Sequence, residues 1–250
     1  MLVSQFVPPN KVDVNLRLGK RLAGLELARS DLVDRRYVSQ ANEALRKEAA
    51  YWLALNRDLL HPLSEKWLQG HANENGRAFR DPADEQDLAA YAKKILRGRK
   101  ALTSDELIDW LSEVNGLTKI AGSGKIRKVN VFTSIDKSGR QTAFSNPGDL
   151  HRQFGLLSQA INDWEERPAF RALLVLVGVL AIHPFVDGNG RTARACFNAM
   201  LFDEPPITFI PVRLVSDCSC GGFEIRLRDV IFNGSWGSLI AYFSIVFELC

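Results

Sequence analysis

Apolar positions along this chain recur mostly in steps of three and four. Leu45, Ala49, Trp52, Leu55 and Leu59 predict a helix over about Ser39 to Leu60, ended by His61-Pro62. Asp81-Pro82 predicts another helix start, with Asp as N-cap and Pro at the first position, running to about Leu96. Thr103 or Ser104 caps the next, whose stripe is Leu107, Trp110, Leu111 and Val114 and which ends at Asn115-Gly116. Leu150, Phe154, Leu157 and Ile161 make Asp149–Trp164 amphipathic. Pro168 opens a nearly all-apolar run, Ala169–Ile182, which reads as the central buried helix. After a break at Asp203-Glu204-Pro205-Pro206, Phe223–Phe232 and Trp236–Leu249 read as two further helices, and Ile207–Leu214 as extended chain or loop around Pro211.

Two stretches depart from helical spacing. Met1–Arg17, with Pro8 and Pro9, reads as an irregular arm before a short helix at Leu18–Ala28. In the other, Val129, Val131, Thr133 and Ile135 alternate with Lys128, Asn130, Phe132 and Ser134. Asp136-Lys137-Ser138-Gly139 is turn chemistry, Arg140–Phe144 returns as a second strand, and Asn146-Pro147-Gly148 closes the unit. A lone hairpin is marginal in water, so this one must lean on helices or hold something. The pattern predicts an all-α fold with one small β-hairpin. The basic cluster Arg97-Gly98-Arg99-Lys100 marks a boundary between an N-terminal helical extension, 1–100, and a second domain, 101–250.

Composition changes this picture little. The 250 residues are 46% hydrophobic and 24% charged, enough to bury a real core. A net charge of +3 gives no reason to propose nucleic-acid binding. Ala169–Ile182 contains Arg171 and falls short of the ~20 residues a membrane span needs. Met1–Val14 lacks the basic start and apolar core of a signal peptide. Cys196 reads as buried and Cys218-Ser219-Cys220 lacks zinc-ligand spacing, so reduced thiols and a cytoplasmic location are expected, with delivery into a host cell left open.

The chemistry concentrates in His183-Pro184-Phe185-Val186-Asp187-Gly188-Asn189-Gly190-Arg191-Thr192-Ala193-Arg194. Gly188 and Gly190 bracket Asn189 in a tight turn whose backbone N–H groups can converge on an anion. The helix that follows adds its unpaired N–H groups and positive dipole end. Arg191 and Arg194 share a face of that helix, while Ala193, Cys196, Phe197, Met200 and Leu201 pack inward. With Asp187 and His183 alongside, the set suits a nucleotide phosphate and a metal ion. Taken singly, His183 also reads as a histidine stabilised at a helix C-terminus, and Asp187 as a residue bonding to its own turn.

This stretch resembles the signature loop of the Fic family of protein AMP-transferases, with every signature position filled. The resemblance extends more loosely over about Ala101–Cys250 and implies a Fic-type helical domain. It implies transfer of AMP from ATP to a Tyr, Ser or Thr hydroxyl of a target protein, with release of pyrophosphate. By the same resemblance His183 is the general base, Asp187 holds Mg²⁺, and Gly188, Asn189, Gly190, Arg191 and Arg194 bind the nucleotide. The 126–146 hairpin is then a flap that clamps the target's backbone by strand addition. In this family an inhibitory helix often carries Ser or Thr, three residues, Glu, then Gly or Asn, and its Glu pairs with the second arginine of the loop. Ser39 and Glu43 show that spacing, with Ala44 as a departure; Ser244 and Glu248 show it too. A separate antitoxin-like chain is the alternative source of restraint. Two other functions stay open: transfer of another nucleotide such as UMP, and a nucleotide-binding interaction module without transfer.

Overall fold

The computed structural model describes residues 2–34, 82–96, 101–118, 123–133, 141–202, 209–210, 212–213, 216, 219 and 222–249. The expected helix at Ser39–Leu60 and the Cys218–Cys220 pair lie outside the described residues. The architecture is all-α with a small sheet. In chain order it comprises β1 (Leu2–Ser4), α1 (Lys11–Asp34), α2 (Pro82–Leu96), α3 (Ser104–Gly116), β2 (Thr142–Phe144), a 3-10 turn (Pro147–Asp149), α4 (Leu150–Asp163), α5 (Pro168–Ile182), α6 (Asn189–Leu201), α7 (Gly222–Asn233) and α8 (Gly237–Leu249).

α5 is the axis of the core. Phe170, Leu173, Leu174, Val175, Leu176 and Val179 have no exposed surface, and each such side chain contributes roughly 1.5–3 kcal/mol of burial. α6 packs along it, α4 crosses it, and α2 and α3 cover α6. The α4 crossing is close at Gly178: a Cβ there would lie 2.5 Å from Leu157 Cδ1. α3 starts with a full capping box. Thr103 Oγ1 accepts from the Glu106 N–H (3.3 Å), and the Glu106 carboxylate accepts from the Thr103 N–H (2.9 Å).

The N-terminus differs from the expected irregular arm. Leu2–Ser4 pairs in parallel with Thr142–Phe144, and helix α1 begins at Lys11 rather than Leu18. Asn10 explains the early start, because its side-chain oxygen accepts from the N–H groups of Val12 and Asp13. The buried stripe is Val14, Leu22, Leu25, Ala28 and Leu32. α1 also caps one end of the central helix pair, where α5 starts and α6 finishes. The Glu26 carboxylate accepts from Ala169 and Phe170 N–H groups at the start of α5, and Arg29 Nε donates to the Leu201 carbonyl at the end of α6.

The hairpin is present in its described part. Phe132 and Ala143 form an antiparallel bridge, with Thr133 N–H donating to Thr142 O and Phe144 N–H to Val131 O. β2 therefore has neighbours on both sides, β1 and Val131–Thr133. The parallel β1 pairing was not expected, since a three-residue strand beside two prolines carries no alternation to read.

Candidate active site

His183 leaves α5 with φ 52 and ψ 59. Among the described residues it is the one non-glycine with positive φ, a conformation held only where surroundings over-determine it. Its imidazole lies against the Phe144 ring, with centroids 3.9 Å apart and planes 16° from parallel. Nδ1 is buried without a hydrogen-bond partner among the described residues. Burial lowers the pKa to about 4, and the Arg127 cation adds to that. The Leu180 backbone carbonyl and the Asp187 carboxylate oppose it. The imidazole is neutral at pH 7.

The loop that follows is built around two asparagines. Asn189 Oδ1 accepts from Phe185 N–H (2.9 Å) and its Nδ2 donates to Phe185 O (2.8 Å). Phe185 itself is buried and anchors the loop in the core. The Asn189 amide thus shapes the loop, with Oδ1 and one of its two Nδ2 hydrogens engaged on Phe185. Asn115, fully buried at the end of α3, donates to Asp187 O (3.1 Å) and Thr192 Oγ1 (3.0 Å) and accepts from Gly124 N–H (2.7 Å). In the sequence Asn115 reads only as a helix terminator. Its signal was a polar residue four positions after Leu111, on the apolar face.

Gly188 sits at φ 83 as the N-cap of α6, where a side chain is strained. Its N–H donates to Asp187 Oδ1 at 2.6 Å, so Asp187 does bond to its own turn. Its carboxylate is nevertheless exposed. Among the described residues no group of three His, Cys, Asp or Glu could hold a metal. Mg²⁺ needs no such cluster when it is shared with substrate phosphates, and one exposed carboxylate fits it.

Arg191 Nη1 donates to Thr118 O (2.8 Å). Arg194 lies across the first turn of α6: a Cβ on Gly190 would meet its Nη1 at 3.1 Å. Its guanidinium is held by Glu85 of α2, Nε donating to Oε2 at 3.0 Å and Nη2 to Oε1, with side chains 16% and 13% exposed. Ser39 and Glu43, the expected inhibitory pair, lie outside the described residues. Glu248 is exposed near the end of α8. The carboxylate found on Arg194 is Glu85, which lacks the inhibitory-helix pattern, with Asp81 four residues before it and Gln86 after it.

Comparison with known proteins fits this geometry. The Fic/DOC family profile matches residues 101–201. Residues 101–201 thus match the Fic/DOC family. A protein adenylyltransferase Fic of Nematostella vectensis is 31% identical over 122 residues, covering 45% of this chain and 26% of that protein. The protein adenylyltransferase and cysteine protease IbpA of Histophilus somni is 30% identical over 137 residues, covering 52% of this chain and 3% of that protein. The chain thus spans about a quarter or less of these curated relatives. A Fic family protein from Desulfovibrio desulfuricans superposes with a TM-score of 0.62 at 15% identity, over 97% of this chain and 74% of the other. C. elegans Fic-1 does so with a TM-score of 0.53 at 20% identity, over 92% and 69%. These two likenesses extend the Fic-type fold beyond the segment the family profile covers. No helix among the described residues is long and apolar enough to cross a membrane.

Proposed function

We propose that this chain transfers AMP from ATP to a hydroxyl side chain of a target protein. The observation that carries this reading is a neutral, largely desolvated imidazole six residues before a helix whose first turns carry Arg191 and Arg194. The hydroxyl oxygen of the target attacks the α-phosphorus of ATP. A new O–P bond forms, the bond from the α-phosphorus to the bridging oxygen breaks, and pyrophosphate leaves with that electron pair. His183 takes the hydroxyl proton. Arg191, Arg194 and the first N–H groups of α6 hold the phosphates and offset charge growing on the leaving group. Asp187 would hold Mg²⁺, which when bound draws charge from the α- and β-phosphoryl oxygens.

The target's backbone is proposed to add to the outer edge of Val131–Thr133. β2 already has two neighbours, and in the antiparallel bridge with Ala143 the Phe132 N–H and C=O point away from β2. Val129 and Phe132 are 56% and 45% exposed on this flap.

A restrained resting state belongs to the same reading. Glu85 occupies the Arg194 fork that a terminal phosphate of ATP would otherwise take. Glu85 thus fills the part expected of Glu43 or of an antitoxin-like chain. A cytoplasmic place of action and a functional boundary near residue 100 complete the proposal. Incubation of Glu85→Gly protein with labelled ATP, UTP and GTP and a cell lysate tests it. Covalent label from ATP supports AMP transfer, label from another nucleotide supports the UMP-type alternative, and tight binding without label supports the interaction module.

A further inference from the structure

The imidazole of His183 has a feature unusual for a general base. A base histidine is normally oriented by a hydrogen bond at its second ring nitrogen. Here Nδ1 has none among the described residues, so the ring must be aimed by other means. The backbone around it supplies one. Arg127 is buried, at 3% exposed, between the flap and the end of α5. Its Nε donates to His183 O (2.7 Å), Nη1 to Val129 O (2.9 Å), and Nη2 to Ser145 O and more weakly to Ile182 O (3.4 Å). Its own N–H donates to Pro184 O at 2.9 Å, and the neighbouring Ile126 bridges Phe185.

We infer that Arg127 is a positioning residue for the transfer reaction, tying the His183 peptide and the flap strand behind Phe144 into one unit. This rests on the reading of His183 as the base. Three arguments support it. First, the guanidinium engages two segments distant in sequence, and each touches the imidazole: Ile182–His183 bears it, and Ser145 directly follows the Phe144 ring stacked on it. Second, among the described residues no carboxylate pairs with Arg127, and burial pushes its pKa down. A desolvated cation is costly where an apolar residue would fill the same space. Its compensation comes from carbonyls, two of them at the negative end of the α5 dipole. Third, the task needs a planar fork. Lysine has three donors on one point and cannot reach carbonyls on both sides.

The test compares Arg127→Met, Arg127→Lys and Phe144→Ala, each made in the Glu85→Gly background. Three quantities are read: kcat for AMP transfer, affinity for a non-hydrolysable ATP analogue, and the ring-proton NMR shifts of His183. In the parent, stacking on Phe144 moves those shifts upfield. Arg127→Met should lower kcat about 10–100-fold, as misplacement of a catalytic group does, while analogue affinity stays within about twofold and the upfield shift collapses. Arg127→Lys should fall between. Phe144→Ala should lower kcat in the same way, which keeps the proposal testable if Arg127→Met does not fold. Unchanged kcat in the folded variants would overturn the inference, as would parallel losses of kcat and analogue affinity. If the Glu85→Gly parent transfers nothing, the transfer reading has failed separately. The NMR arm then decides, and an Arg127→Lys spectrum with His183 shifts like the parent's removes the positioning role.

Discussion

Glu85 grips Arg194 with both carboxylate oxygens, across the first turn of the helix that opens the candidate nucleotide site. A charge-assisted pair of this kind contributes about 1.5–3 kcal/mol. Removing it shifts the population of Arg194 toward the state free to take a phosphate. Glu85→Gly should therefore raise transfer or self-modification roughly 10–100-fold, since each 1.4 kcal/mol is about tenfold. The same change should lower Tm, because a largely buried guanidinium loses its partner and glycine enters the first turn of α2. Activity rising while stability falls separates restraint from damage. An activity that falls together with Tm would count against restraint.

Arg194→Ala provides the opposite arm. It also frees Glu85, yet it deletes the phosphate partner. Transfer should be lost and should not return in Glu85→Gly/Arg194→Ala. Activity in the double variant equal to Glu85→Gly alone would make Arg194 a structural anchor only.

The pH dependence follows from burial. His183 is held neutral, with its pKa brought down from 6.5 to about 4. The base form is the unprotonated one, and it persists at every pH above that value. The plot of kcat/KM for the free enzyme should stay level as pH falls from about 8 through 6.5 and drop only on approach to about 4. A break near 6.5 would mean that the imidazole is solvated in the working enzyme.

Gly178→Ala tests the packing that carries the site. The added methyl would meet Leu157 in a fully buried contact between α4 and α5. A loss of about 1–3 kcal/mol is expected, read as a lower midpoint in urea. A neutral result would show that Leu157 has room to rotate away.

Much of this was legible from residue spacing. The stripe Leu107, Trp110, Leu111, Val114 and the apolar run to Ile182 placed α3 and α5, because burial of one helix face repeats at fixed intervals. The loop from His183 to Arg194 was legible because its chemistry is local: glycines, an acid and two arginines are consecutive in the chain. Arg127, Asn115 and Glu85 were not. Each acts on a residue dozens of positions away, Arg127 on His183, Asn115 on Thr192 and Glu85 on Arg194. Such pairs are set by how helices pack, and no periodicity in the chain encodes them. β1 escaped for the same reason, since its partner is Thr142–Phe144.

The central claim is covalent transfer of AMP with His183 as base. Its most direct measurement is intact-protein and peptide mass spectrometry after Glu85→Gly protein meets ATP, Mg²⁺ and a cell lysate, beside the same protein carrying His183→Ala. The account predicts an added AMP on hydroxyl side chains in the first sample, formed about 10²–10⁴-fold more slowly in the second, with ATP-analogue affinity unchanged between them. No AMP adduct in the first sample despite bound ATP, or equal adduct in both, would contradict it.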